Sequence, residues 1–283
     1  MSKKHIDHRS LPFPLERRIT IDGGHLAAQR HTIHGLIEVD VTRPRQYIRE
    51  HKARTGETLS FTAFVIACLG KAIDENKMMH AYRDWRNRLI LFDEVDVNTM
   101  VEIERDGRNV VLPYFIRAAN KRTFRDIHAE LRTAQAQPEQ SREFGVRQFA
   151  QLPRLARILF YWAIFKNPRW LKQRFCTVGM TSVGMFGSGS GWAIPFGVHT
   201  LDIALGGIAE KPGVINGRIT IREYLCLTIS FDHDIIDGAP AARFATRLSE
   251  LIAGGFGLCE HGVSLGDQLQ PYAKQQAQQP KEA

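Results

Sequence analysis

The segment from Leu225 to Phe231 reads LCLTISF, and an apolar run of this length predicts a strand buried inside a sheet. Asn216-Gly217, between Gly213–Ile215 and Arg218–Ile221, is a strong signal for a two-residue hairpin just upstream. Downstream, Pro240 is placed to open a helix that continues through Ala241–Ala253. The chain must therefore build a sheet in which a hairpin leads to an inner strand and a helix follows it.

The remaining patterns alternate between strands and helices, which predicts an α/β fold in one continuous domain. Ser60 is placed to cap a buried amphipathic helix that continues to Ile73. Further helices are predicted at Thr42–Arg54, ended by Gly56, and from Thr123 to about Ala136. Strands are predicted at His34–Val41, Leu89–Phe92, Val95–Ile103, Val110–Ile116, Cys176–Met180 and Leu201–Ile208. Asp106-Gly107 is predicted as a hairpin turn, and Val183–Gly191 as a Gly-rich loop at the edge of a functional site.

The formal net charge of +8 over 283 residues is concentrated in two places. The segment 142–174 holds eight basic residues and one acid, and residues 1–19 carry a further +3, so the rest of the chain is slightly acidic. Nucleic-acid binders more often spread Lys and Arg over a recognition face, so we expect no nucleic-acid partner. We expect a basic arm at 1–19, a catalytic-type domain at 20–266 with an insertion at about 142–174, and a disordered Gln-rich tail at 267–283.

The cysteines and the apolar runs indicate the compartment. Cys68, Cys176, Cys226 and Cys259 show neither C-x-x-C pairs nor a zinc spacing, and His31 and His34 alone do not predict a metal site. The start of the chain shows no signal peptide, and the longest apolar run, Ile158–Phe165, is far shorter than the roughly 20 residues that span a bilayer. We expect a cytoplasmic protein with reduced thiols and no metal.

The strongest chemical signal is the sequence D-H-D-I-I-D-G at the end of the long apolar strand. It presents His233 at a rigid edge, where a neutral imidazole can act as a general base. We expect Asp237 to turn back and hold the loop, and Gly238 to supply a turn with positive φ.

Four stretches of the chain resemble the catalytic domain of the dihydrolipoamide acyltransferases, the E2 components of 2-oxoacid dehydrogenase complexes, and more distantly chloramphenicol acetyltransferase. They are Glu38–Thr42 (EVDVT), Leu59–Phe64 (LSFTAF), Thr181–Gly187 (TSVGMFG) and the strands from Gly217 to Asp237-Gly238. The resemblance covers roughly residues 34–255. It implies a chloramphenicol-acetyltransferase-like two-layer sandwich, with a mixed sheet and helices on one side.

The resemblance also implies a chemistry, namely acyl transfer between a coenzyme A thioester and a thiol or other acceptor. His233 is then the general base, Asp237 organises its loop, and Thr181 donates a hydrogen bond to the oxyanion, with Ser182 as a second candidate. The resemblance further implies a homotrimer whose site is shared between subunits.

Several departures from the family pattern limit how far the family's properties carry over to this chain. Asp234 stands where the family has Arg, and an unpaired acid there would stabilise the imidazolium of His233. Ser182 replaces an Asn, and Arg17–Gly24 replaces the family's N-terminal motif. Without a D-K-A triplet we expect no covalent lipoyl group on this chain, so any lipoyl arm would come from another chain.

The insertion and the departures leave alternatives open. The insertion is compatible with a helix packed on the core or on a neighbouring subunit, with a membrane-surface contact through 152–174, or with a subsite for the phosphates of coenzyme A. The alternatives to a soluble acyltransferase are a non-catalytic trimeric binding or assembly protein, and a membrane-associated acyltransferase.

Overall fold

The long apolar strand lies inside a six-stranded mixed sheet in the computed structural model, which describes residues 9–15, 17–105, 108–136, 148–184 and 189–258. The helices are α1 (Arg17–Ala27), α2 (Thr42–Thr55), α3 (Phe61–Glu75), α4 (Phe124–Ala136), α5 (Arg154–Lys166), α6 (Pro168–Phe175) and α7 (Gly238–Ala253). The strands are β1 (Thr32–Asp40), β2 (Tyr82–Arg83), β3 (Leu89–Ile90), β4 (Val97–Arg105), β5 (Arg108–Ile116), β6 (Val178–Ser182), β7 (Leu201–Ile215) and β8 (Arg218–Asp232).

The strand order in the large sheet is β1-β8-β7-β6-β4-β5. β6 is parallel to both β4 and β7, and the other neighbouring pairs are antiparallel. The predicted hairpin joins β7 to β8, and Asn216 and Gly217 have φ of 51° and 74°, as a type I′ turn requires. The mixed sheet and the inner position of β8 are confirmed.

Helices α3, α4 and α7 cover one face of this sheet and enclose the main apolar core. α3 begins as predicted, because the Ser60 hydroxyl accepts a hydrogen bond from the Ala63 amide at 3.2 Å. Its apolar residues are buried on nearly every side, since it lies between the sheet and the two other helices. The two-layer arrangement expected from the resemblance is confirmed.

Several boundaries and one pairing differ from those predicted. β3 pairs only with the short β2, in a separate two-stranded sheet. α1 begins at Arg17, so the last residues of the expected arm are helical. Cys176 ends α6 with φ of 69°, and β6 therefore starts two residues later than predicted. Asp106-Gly107, residues 137–147 and the tail from 259 onward lie outside the described residues.

The described part of the insertion forms α5 and α6, which dock by one face. The Arg157 Nε donates to the Asp22 carboxylate at 2.6 Å, and both side chains are buried, which joins α5 to α1. Tyr161, Ile164 and Leu171 complete this inner face. No helix in the described ranges is both long and apolar enough to cross a membrane.

Candidate active site

β8 ends at a tight loop that a buried carboxylate holds. The Asp232 amide donates to the Thr200 carbonyl at 2.9 Å, and the Asp232 carboxylate accepts from Arg30 at 2.5 Å and from the Asp234 amide at 3.2 Å. The amides of Ile235 and Ile236 donate to the Asp232 carbonyl at 3.1 and 3.0 Å. Asp232 therefore determines the path of the chain on both sides of His233.

His233 is exposed at this sheet edge. Its amide donates to the His31 carbonyl at 2.8 Å, which extends the β1–β8 pairing by one residue beyond the strand ends. The base candidate is therefore anchored through its backbone, while its ring stays accessible.

Asp237 and Gly238 do not play the structural parts predicted for them. Asp237 is exposed and precedes α7 without a side-chain capping bond, and its described contact is a carbonyl that accepts from the Ala241 amide. The loop-holding role predicted for Asp237 falls to Asp232, because Asp232 is buried beside Arg30. The expected positive φ at Gly238 is wrong, since the turn is already closed at Ile236 and Gly238 is the first residue of α7.

Thr181 and Ser182 are half-buried at the end of β6, far from His233 within one subunit. Thr181 is level with Ala204 of β7, which is level with Thr228 of β8. His233 follows Thr228 by five residues, so it lies roughly 16 Å along the strands and about 10 Å across them from Thr181. A single chain cannot bring these two side chains to one reacting carbonyl.

The Gly-rich segment after β6 is backed by an irregularity in β7. The pairing of β7 with β8 shifts between Leu205 and Ile208, and the Gly207 amide donates to the Gly191 carbonyl at 2.9 Å. A Cβ on Gly206 would lie 2.1 Å from the Gly191 oxygen, so only glycine allows this backbone crossing. The described end of the loop is therefore packed against β7, and residues 185–188 lie outside the description.

The Asp234 carboxylate, which replaces the family's cation, has partners of its own. One oxygen lies 2.8 Å from the His31 Nδ1, and the other lies 3.8 Å from the guanidinium of Arg83. The hydrogen bond from His31, with the charges of Arg83 and Arg30 nearby, lowers the pKa of the Asp234 carboxyl from its ordinary value. The sequence did not single out His31 in this role, because its partner is 203 positions away.

The other histidines noted in the sequence have separate structural partners. His34 pairs with the Ser230 hydroxyl at 2.8 Å, so it does not converge with His31 on a common ligand. His199 is buried, with its Nδ1 at 2.8 Å from Asp202 and its Nε2 at 2.9 Å from the Phe175 carbonyl. Its two ring nitrogens are thus used to fasten the start of β7 to the end of α6.

A cavity of about 600 Å³ opens elsewhere, between the α2–α3 connection and α4. Glu57 lines this cavity and forms hydrogen bonds with His51, His128 and Arg125. The hydrogen bonds from His51 and Arg125 lower the pKa of the Glu57 carboxyl to about 2.

Within the described ranges, no group of three or more His, Cys, Asp or Glu side chains could hold a metal ion. The described cysteines, Cys68, Cys176 and Cys226, are buried.

The mixed sheet and its helical layer form a two-layer α/β sandwich, with the histidine loop at the end of β8 on one edge. Residues 172–255 match the family described as 2-oxoacid dehydrogenases acyltransferase (catalytic domain). The chain is 23% identical over 225 residues to the dihydrolipoyllysine-residue acetyltransferase component of the pyruvate dehydrogenase complex of Mycoplasma capricolum, covering 77% of this chain and 44% of that protein. The resemblance read from the sequence is confirmed: the chain is similar to the E2 catalytic domains.

Solved structures share the same fold. A probable dihydrolipoamide acetyltransferase from Listeria monocytogenes aligns with a TM-score of 0.67 at 18% identity, over 91% of this chain and 98% of that one. The dihydrolipoamide acetyltransferase of Azotobacter vinelandii, in which a serine, a histidine and an asparagine were investigated for their roles in catalysis, aligns at 0.66 and 18% identity, over 88% and 93%. The chain spans less than half the length of the curated relatives it matches.

Proposed function

We propose that this protein transfers an acyl group between a coenzyme A thioester and a thiol or other acceptor, with His233 as the general base. The observation that carries the proposal is the exposed His233 on a loop that buried Asp232 holds, within the segment that matches the acyltransferase family.

In the forward direction His233 takes the proton of the attacking thiol. The thiolate adds to the thioester carbonyl, and a tetrahedral oxyanion forms. Its collapse breaks the bond to the leaving sulfur, which takes the proton back from His233. A hydroxyl donor at the oxyanion is worth roughly a factor of 100 to 1,000 in rate.

We assign that donor to Thr181 of a neighbouring subunit, because the strand register keeps Thr181 and His233 apart within one chain. The β7–β8 hairpin supports assembly. Val214, Ile219 and Ile221 are 58%, 78% and 73% exposed on it, and such a row of apolar residues is typical of a surface that another chain covers. We propose a homotrimer.

The direct test follows thiol release from acyl-coenzyme A, with dihydrolipoamide among the acceptors. We expect His233→Ala to lose the activity and His25→Ala, an exposed histidine on α1, to keep it. Equal rates for wild type and His233→Ala would refute the catalytic role. Binding of acyl-coenzyme A without turnover on a broad acceptor panel would favour a non-catalytic binding protein.

The shared site has its own test in mixed assemblies. His233→Ala and Thr181→Ala each disable the enzyme, but a mixture of the two chains restores intact sites wherever wild-type His233 meets wild-type Thr181 across an interface. Recovery on co-expression supports the shared site, and its absence in confirmed mixed trimers contradicts it. Thr181→Ser keeps a hydroxyl and is expected to retain most of the activity.

A second proposal concerns α5, whose outer face we assign to the surface of an anionic membrane. Leu155, Leu159 and Trp162 are 69%, 57% and 61% exposed on the side away from the buried Arg157. Other exposed apolar residues of this segment are Leu152, Ile158, Phe160 and Trp170, and its exposed cations are Arg154, Lys166, Arg169 and Arg174. Residues 148–175 contain no acid, so the surface suits anionic lipid better than an equally basic second copy.

Co-sedimentation with lipid vesicles tests this contact. We expect binding to phosphatidylcholine vesicles that contain phosphatidylserine, weaker binding at high salt, and loss of binding in Leu159→Ser/Trp162→Ser. Met100→Ser/Val111→Ser, which replaces two exposed apolar residues on β4 and β5, is the control. Failure to bind anionic vesicles refutes the proposal, and a smaller assembly in the α5 variant would assign the face to a second copy.

A further inference from the structure

The edge that presents His233 also carries a second histidine. The His233 amide donates to the His31 carbonyl at 2.8 Å, in line with the register that pairs Thr32 with Asp232. Residues directly opposite in an antiparallel pair place their side chains on the same face, with Cβ atoms roughly 4.5–5.5 Å apart. His31 is therefore a neighbour of the proposed base.

Asp234 lies next to His233 in the chain and brings a negative charge to this edge. A carboxylate without a partner close to an imidazole stabilises the imidazolium and makes the ring a weaker base near neutral pH. The family places Arg at this position, so the chain needs another means of keeping His233 neutral.

The structure shows where that charge is compensated. An ionised carboxylate only accepts hydrogen bonds, so the His31 Nδ1 donates to the Asp234 oxygen at 2.8 Å. The other oxygen faces the Arg83 guanidinium at 3.8 Å. Both carboxylate oxygens thus have a donor or a cation other than His233.

Other charged groups lie at this end of the sheet, where His199 pairs with Asp202 at 2.8 Å. Arg30 is paired with the buried Asp232, and Asp237 is exposed beyond the turn. His31, Asp234 and Arg83 therefore form a polar group at the edge that presents His233, drawn from the residue before β1, the loop after β8 and the short strand β2.

We propose that His31 is a positioning residue, which holds the Asp234 carboxylate and offsets its charge beside His233. The role rests on the proposed function of His233 as a base. It explains why an acid is tolerated at the position of the family's cation: the hydrogen bond from His31 compensates the charge that Asp234 brings.

The first test measures the ionisation of His233 directly, by NMR of ring-labelled histidine in the assembled protein, and needs no activity. We expect the NMR titration of His233 to move to higher pH in His31→Ala, because the Asp234 charge is then less compensated. His31→Asn keeps an amide donor near the position of Nδ1 and is expected to restore much of the wild-type value.

The double variant His31→Ala/Asp234→Asn decides the mechanism. Removing the charge should bring the pKa of His233 back to within a few tenths of a unit of wild type. An unchanged pKa of His233 in His31→Ala, or an increase that persists in the double variant, overturns the proposal.

The pH dependence of acyl transfer then connects the pair to turnover. We expect the acidic limb of the kcat/KM profile to move to higher pH in His31→Ala and back in the double variant. If His233→Ala retains full activity, the proposed function fails, but the NMR titration still reports whether His31 and Asp234 affect His233. The two failures are therefore distinguishable.

Discussion

The loop at 232–238 and the α5–α6 segment are each fastened by a buried pair of Asp and Arg, but with opposite consequences. In the loop, Arg30 holds Asp232, which directs the backbone around one functional side chain. In the segment, Asp22 holds Arg157, which docks the inner face and leaves the outer face apolar and exposed. The same interaction thus positions a reactive group in one region and orients a surface in the other.

The largest expected effect on stability and activity comes from removing the Arg30–Asp232 ion pair, which holds the loop at 232–238. Asp232→Ala leaves the partly buried Arg30 without its carboxylate and removes the acceptor of the Asp234 amide. We expect a loss of about 3–5 kcal/mol in the free energy of unfolding, measured by urea denaturation, together with loss of acyl transfer. Asp237→Ala is the control, and a cost as large as that of Asp232→Ala would return the loop-holding role to Asp237.

The two faces of α5 supply the next contrast. Ile164 is buried against Tyr82 and Leu171, and we expect Ile164→Ala to cost roughly 2–5 kcal/mol of unfolding free energy. Leu159→Ala, on the same helix but exposed, should change it by about 0.5 kcal/mol or less. Similar costs for both would mean that the outer face is covered by protein in solution.

Removing the Asp22–Arg157 ion pair should loosen the docking of α5 without unfolding the domain. In Arg157→Met, the Asp22 carboxylate loses both of its bonds from the guanidinium, and α5 loses its link to α1. We expect faster hydrogen exchange of the amides in 154–166, with the exchange of α3 unchanged. Arg154→Met, an exposed cation on the same helix, should leave the exchange of α5 as in wild type.

The buried His80 and the exposed His25 supply the last contrast, a dependence of stability on pH. Burial lowers the pKa of His80 to about 4, so protonation favours the unfolded state. The stability linked to neutral His80 is complete above pH 6.5 and is lost as the pH falls from 6.5 towards 4. We expect His80→Gln to flatten the wild-type slope of unfolding free energy in this window, whereas the exposed His25→Gln should not.

Most of the sheet and part of the site were accessible from the sequence, because their signals are local. The I′ turn at Asn216-Gly217, the cap at Ser60 and the long apolar strand each depend on neighbouring residues. The position of His233 at the end of β8 follows from the same strand.

The misassigned features depend on distant partners. α1 contains Gly23-Gly24, which disfavours a helix, yet it forms, and Asp22 within it binds Arg157 135 positions away. Asp232 was overlooked in favour of Asp237, because its partner Arg30 is 202 positions away.

The sequence by itself determined the α/β class, the order of most elements and the histidine that ends β8, because period, turn chemistry and motif spacing are short-range properties. Only the tertiary structure decided which acid holds the loop, where Asp234 directs its charge and which face of α5 is buried. Those outcomes depend on desolvated charges finding partners across the fold, and burial cannot be read from neighbours in the chain.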